Sequence, residues 1–406
     1  MKILMINQPM SNRGDESAHK GLIRAILKAM PNVRITVVRV GMNPDTIRQF
    51  GVDDENVEYV NLPLIRGYLR FAKLGLQKGM YFLWRVHPTH RKIRTLMLAS
   101  DIVLSAPGGI CMGGFQNWEH LFLLKMAQRI GKKLVYYGRS FGPFPETTKL
   151  NRCFKKHSVD MLHYFSFLSV RDKKTESIAK DLGVSYVPTV DSAFLDLPRV
   201  EIPKELLNRI DADPYVVFVP NELIWHYAFR GKLSKTELLE FYREILSLIK
   251  DKMPNRKIVM LPQTYNQTTP NGNDINFFKE FEAYLKDPSI IVAPDTYNSD
   301  IQQSVIAKAD LVVGARYHSI IFAINNNVPF VALSYEHKIS GILETLGKLD
   351  CMVDISTALF EKESVKKCLL EFREKLNLAR TDALCCENAK KIARNCFDSF
   401  VKWING

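Results

Sequence analysis

Short runs of valine, isoleucine and leucine recur along this chain between longer stretches of helical period, and no other feature constrains the fold as much. Such alternation is the pattern of βα units around parallel sheets, so an α/β architecture is expected. In the first half the strand candidates are Lys2–Asn7, Arg34–Val40, Asp101–Ser105, Lys133–Tyr137, Phe165–Val170 and Ser185–Pro188. Between the first two, Ala18, Leu22, Ile23, Ile26, Leu27 and Met30 return at steps of three and four, which puts them on one helix face. The alternation breaks over the charged, proline-containing stretch Leu197 to Pro214. It resumes with Tyr215–Pro220, Lys257–Pro262, Ser289–Ala293, Asp310–Val313 and Pro329–Leu333, and helical residues run from about Glu361 to Trp403. The expected organisation is an N-terminal α/β domain over 1–200, a second over 210–380, and a C-terminal helix over 381–406. Two Rossmann-like domains facing a cleft follow from this, with no internal repeats and no low-complexity tracts.

Composition sets the outer limits. The 406 residues are 46% hydrophobic and 24% charged, far from a disordered chain. The longest apolar runs are around ten residues, short of the ~18 to 20 that span a bilayer. The apolar start Met1 to Ile6 is cut by Asn7, Gln8 and Pro9, below the length of a signal-peptide core, so a cytoplasmic protein is expected. Cys111, Cys153, Cys351, Cys368, Cys385, Cys386 and Cys396 contain no C-x-x-C pair, so neither a metal site nor a disulfide framework is suggested. The net charge of +13 is unevenly placed. Over 59–100 there is no Asp or Glu, while Arg66, Arg70, Lys73, Lys78, Arg85, Arg91, Lys92 and Arg94 are basic and Tyr68, Phe71, Tyr81, Phe82 and Trp84 are interleaved. That mixture suits a surface that meets anionic lipid headgroups or nucleic acid, and equally an ordinary solvated helix of a basic protein.

In doubly wound sheets ligands bind beyond the carboxyl ends of the strands, so the turns after strands are where chemistry is sought. After the first strand, Asn12-Arg13-Gly14-Asp15-Glu16 brings Asp15 to a helix start, either as a cap or as a contact to a substrate hydroxyl. Gly108-Gly109 allows close backbone approach and is followed by Trp118-Glu119-His120. Arg139, in Gly138 to Phe144, has no acidic neighbour in sequence; Arg171-Asp172 offers a local ion pair or a free cation. In the second series Asp310–Val313 runs into Gly314-Ala315-Arg316-Tyr317-His318-Ser319. There Arg316 and His318, two apart in an extended segment, point the same way and together could clamp a phosphate and donate a proton. Lys338, after the next strand, adds a cation at the same sheet edge. The phosphate loop G-x-x-x-x-G-K-[ST], G-x-G-x-x-G, H-E-x-x-H and G-x-S-x-G are all missing, which removes the main support for kinase, dinucleotide, metalloprotease and esterase readings.

These segments, together with Ser169-Val170-Arg171-Asp172, Val190-Asp191-Ser192-Ala193 and Tyr335 to Ile342, resemble the polysaccharide pyruvyl transferases, most of all the branch acting in colanic acid synthesis. The resemblance runs in order from residue 12 to 342. It implies a glycosyltransferase B-like fold, phosphoenolpyruvate as donor, a sugar diol of a surface polysaccharide as acceptor, and a cyclic pyruvate ketal as product with release of phosphate. It implies that Arg316 and His318 lie on the donor motif. Where many relatives carry a donor-holding Arg, this chain has Asn221, for which Arg139 or Lys338 would compensate, and Arg171 or Arg139 is expected as a further cation toward the donor. His318 is the expected acid toward the donor methylene, and Asp15 or Glu119 the base toward the acceptor. Asn12, Asp15, Gly108, Gly109, Glu119 and His120 are expected on the acceptor side, with no metal and no cofactor beyond the donor substrate. The expected partners are phosphoenolpyruvate, a glycan or polyprenyl-diphosphate-linked oligosaccharide, and an anionic membrane surface on the inner face of the cell membrane, with no nucleic acid. Two rivals remain on sequence: a nucleotide-sugar glycosyltransferase of the same fold, and a non-catalytic basic protein that binds membrane or nucleic acid.

Overall fold

The computed structural model describes residues 1–9, 12–42, 46, 49–211, 214–265 and 272–406. The chain forms two compact units. The first comprises Met1–Met10, Ala18–Asp196 and Lys391–Gly406; the second comprises Ser11–Ser17 and Leu197–Lys390. The chain therefore changes unit at Leu197, the start of the proline-containing stretch, whose Ala212 and Asp213 lie outside the described residues.

Among the described residues the first unit holds a seven-stranded parallel sheet. Its strands are β1 (Lys2–Ile6), β2 (Arg34–Val40), β3 (Val57–Leu62), β4 (Ile102–Ser105), β5 (Lys133–Tyr136), β6 (Phe167–Val170) and β7 (Val187–Pro188), in the order β3-β2-β1-β4-β5-β6-β7. Both faces are covered, and the strand period of two divides the apolar residues between them. From β1, Leu4 and Ile6 join Val103, Leu134 and the helix Trp118–Arg129 in one core. Ile3 and Met5 join Ile35, Leu104, Val135 and the Leu22, Ile23 and Ile26 stripe in the other. Each such side chain taken fully out of water contributes roughly 1.5 to 3 kcal/mol.

In the second unit β8 (Tyr215–Val219), β9 (Lys257–Met260), β10 (Ile290–Val292), β11 (Leu311–Gly314), β12 (Phe330–Ser334) and β13 (Met352–Asp354) are ordered β10-β9-β8-β11-β12-β13, again parallel. Strands β3 and β13 are not among the sequence expectations. The first, Val-Glu-Tyr-Val-Asn-Leu, carries polar residues because it lies at a sheet edge, and the second is only three residues long.

The helix that opens at Arg13 runs to Ala29, and its first turn belongs with the second unit. The C-terminal helix Ala383–Asn405 is shared in the same way: Cys396, Phe397 and Phe400 fill the core that β1 and β2 face with Ile3 and Ile35.

Candidate functional site

Beyond the carboxyl ends of β8, β9, β11 and β12, the second unit gathers Asn221, Gln263, Thr264, Arg316, His318, Tyr335, Glu336 and Lys338. Arg316 stands just before the helix Tyr317–Asn325 and is paired with Asp274, a buried carboxylate in the first turn of the helix Asp274–Leu285. The other oxygen of Asp274 accepts from the backbone amides of Gln263 and Thr264, each at 2.9 Å. Burial opposes the charge on Arg316, but the Asp274 carboxylate outweighs it and holds the guanidinium above its ordinary value. The pair occupies Nη2, while the buried Nε has no partner among the described residues. A partly buried cation with a donor left over is suited to an anion. Asp274 escapes sequence reasoning because an acid at a helix start reads as a cap, and nothing links it to an arginine 42 residues later.

His318 stands directly against Gly14. A Cβ at residue 14 would lie 1.7 Å from His318 Nδ1, so only glycine fits. The motif Asn12 to Glu16, expected on the acceptor side of the first domain, thus belongs to the second unit, with Asp15 next in the chain to the glycine under the His318 ring. Its anchors are visible. Asn12 bridges Thr264 and takes the Gly14 amide at 2.7 Å. Arg13, fully buried, lies over the Tyr265 ring at 4.2 Å and bonds Glu16 and the Asp295 carbonyl. Glu16 Oε1 accepts from Ser299 N and Oγ at 2.9 and 2.8 Å, which caps the helix Ser299–Ile306.

Lys338 pairs with Glu336 at 3.2 Å, and Glu336 lies 4.0 Å from His226 Nε2. Burial holds His226 below the usual histidine range despite that carboxylate. The amide and carbonyl of Asn221 are both bonded to the Tyr242 hydroxyl, at 3.1 and 3.0 Å.

The remaining residues lie in the first unit. Arg139 is buried, with donors to the carbonyls of Gly109, Asn7 and Ala106 and to Cys111 Sγ. It clamps the Gly108-Gly109 turn, and Gly108, at φ 156°, bridges Arg139. Arg171 is paired with buried Asp191 rather than with its neighbour; Asp172 instead caps the helix Lys173–Asp181. Ser192 Oγ donates to Ala18 O at 2.7 Å, so Asp191 and Ser192 are used to build the unit. Arg139 and Arg171 accordingly each have partners within the first unit. Glu119 accepts from the Tyr68 hydroxyl at 2.8 Å, and burial raises its carboxyl above the usual range. His120 is buried with neither ring nitrogen partnered among the described residues, and burial holds it well below the usual range, so it packs as a neutral ring.

Two parallel, helix-covered sheets give the chain a glycosyltransferase B-like fold. Solved structures of that fold match nearly the whole chain. The UDP-GlcNAc 2-epimerase from Methanocaldococcus jannaschii is 13% identical with a TM-score of 0.60, covering 99% of this chain and 100% of that one. The Arabidopsis thaliana UGT89C1 complexed with UDP is 13% identical with a TM-score of 0.51, covering 97% and 99%. At such identity the likeness is one of fold. The polysaccharide pyruvyl transferase profile matches residues 12–337, and the chain belongs to that family of polysaccharide-biosynthesis enzymes. A curated relative, the amylovoran biosynthesis protein AmsJ of Erwinia amylovora, is 25% identical over 387 residues, covering 88% of this chain and 89% of its own.

Proposed function

We propose that this enzyme moves the pyruvyl skeleton of phosphoenolpyruvate onto two hydroxyls of one sugar, in a surface polysaccharide or its lipid-linked precursor. The product is a cyclic ketal, with inorganic phosphate released. The supporting observation is Arg316, half satisfied by Asp274, two residues from a His318 seated on Gly14. Phosphoenolpyruvate carries up to three negative charges, and a partly buried guanidinium with a donor to spare offsets their desolvation. In this reading Arg316 takes the phosphate or carboxylate, and Lys338 is a secondary cation because Glu336 already shares its charge. His318 supplies the proton that turns the methylene C3 into a methyl group. Both sugar hydroxyls then bond to C2, the C2–O bond to phosphate breaks, and the second hydroxyl proton is carried away with the phosphate. Asp15, beside Gly14, or Glu119, held by the Tyr68 hydroxyl, is the base toward the attacking hydroxyl. No cofactor takes part. The work is placed in the cytoplasm at the inner face of the membrane, where a polyprenyl-diphosphate-linked glycan would be met.

The test is incubation of purified protein with phosphoenolpyruvate and a lipid-linked or aryl glycoside of the polymer's repeat unit. Phosphate release that needs the acceptor, with a product heavier by about 70 mass units (pyruvic acid less one water), is expected. His318→Ala should lower turnover more than donor affinity. Absence of ketal on the polymer's own repeat unit, or nucleotide release from a nucleotide sugar instead, would replace this assignment.

A further inference from the structure

The residues over 59–100 fold, after β3, into a helical hairpin of the first unit: Tyr68–Lys78, Leu83–Val86 and Pro88–Ala99. Its inner face is aromatic and closed. Tyr68 and His90 rings lie 4.5 Å apart, His90 and Phe122 5.0 Å, and Trp84 and Leu76 are buried with them. The outer face is different. Leu64 is 58% exposed, Leu69 56%, Phe82 57% and Val86 62%, and such groups are informative where they gather rather than where they stand singly. Two contacts bring most of these to one end of the hairpin. Thr89 Oγ1 donates to Pro63 O at 2.9 Å, which ties the loop holding Leu64 to the start of the third helix. The His87 ring, next in the chain to Val86, meets Phe71 at 5.4 Å and Tyr68 at 5.9 Å, beside Leu69.

Arg66, Arg70 and Arg85 are exposed within two residues of Leu64, Leu69 and Val86 along the chain, and Lys73, Lys78, Arg91 and Lys92 are exposed on the same hairpin. No Asp or Glu occurs between residues 59 and 100. Among the described residues none of Arg66, Arg70 and Arg85 has an ion-pair partner. A solvated basic face would have no use for leucine and valine gathered at one end. A strand of nucleic acid would be met by exposed aromatic platforms, but Tyr68 and Trp84 are buried and Phe82 is the one aromatic of this hairpin classed as exposed among the described residues. Aliphatic tips flanked by uncompensated arginine match an anionic bilayer, whose headgroups take the cations while the acyl boundary takes the tips.

We propose that this hairpin docks the protein on an anionic phospholipid surface through Leu64, Leu69 and Val86, flanked by Arg66, Arg70 and Arg85. The proposal extends the membrane placement given above, but its observation is independent of the transfer chemistry. The full-length protein is to be sedimented with vesicles of phosphatidylcholine alone and of phosphatidylcholine with one-quarter phosphatidylglycerol, with neither donor nor acceptor present. Binding to the anionic vesicles, weakening as salt rises, is expected.

Arg66→Gln, Arg70→Gln and Arg85→Gln combined should weaken binding about 100-fold, at about 5-fold per charge near the surface. Leu64→Ser, Leu69→Ser and Val86→Ser combined should weaken it at unchanged charge. Lys362→Gln, Lys367→Gln and Arg373→Gln, exposed on the second unit, remove the same charge and should leave binding in place. All three variants change exposed side chains, and unchanged thermal midpoints confirm folding. Equal binding by the wild type and the hairpin variants, or no preference for anionic vesicles, would overturn the proposal. So would an aliphatic variant that still binds vesicles as well as the wild type, because charge alone would then account for the attraction. Failure here would leave ketal formation on a soluble acceptor untouched.

Discussion

Arg139 and Arg316 each follow a strand of a parallel sheet and each is the basic residue of a glycine-containing turn, Arg139 buried and Arg316 partly so, yet they are put to different uses. Arg139 has three carbonyls and a sulfur of its own unit around it, so its charge is absorbed in holding the Gly108-Gly109 turn. Arg316 has one carboxylate, already satisfied on its other side by two amides, and keeps a buried donor without a partner. A buried arginine serves a ligand only to the extent that its own fold leaves it unsatisfied.

The contrast is most severely tested through the residue that seats His318. Gly14→Ala places a methyl group where the His318 ring stands, so turnover should fall about 100- to 10,000-fold, the usual range for a displaced acid. Unchanged turnover in stopped assays would show that the ring has no part in proton transfer. Next, Arg316→Ala should raise the donor KM about 10- to 150-fold, the loss of one charge-assisted bond of about 1.5 to 3 kcal/mol. Its stability should fall as well, because Asp274 keeps its two amides on one oxygen while the other, buried, loses its partner. Arg139→Ala should act on stability alone. It leaves three carbonyls short of a donor and lowers stability by at least about 2 kcal/mol in denaturant titration, with the donor KM of the folded enzyme unchanged. If the two variants exchanged phenotypes, the assignment of the arginines would be reversed.

The smallest effect concerns the first unit's buried histidines. His90, with neither ring nitrogen partnered among the described residues, is pulled down to about 3, chiefly by burial and secondarily by His87. It is neutral when folded and takes a proton when unfolded below about 6.5, so stability is present above that pH and lost as the pH falls toward 3. His90→Phe keeps the ring and removes the titration. Between pH 7 and 5 it should therefore lose about 1 to 2 kcal/mol less stability than the wild type, as read from melts across that range.

The order of elements was legible in the sequence because buried parallel strands must be short, apolar and β-branched whatever surrounds them. Eleven of the strands were anticipated by such runs, and the two that were not, Val57–Leu62 and Met352–Asp354, are edge strands with too little buried surface to show a pattern. Arg316 and His318 were legible for a similar reason: both lie in one local turn after one strand. What a side chain is paired with was not local. Asp274 to Arg316 spans 42 residues, Tyr68 to Glu119 51, Arg139 to Ala106 33, and the Gly14 contact to His318 spans 304. Residue type and spacing determined which groups could carry charge or a proton. Only the folded chain decided which of those charges were already neutralised by buried partners, because that depends on distance in space and on desolvation, and neither is written in the order of residues.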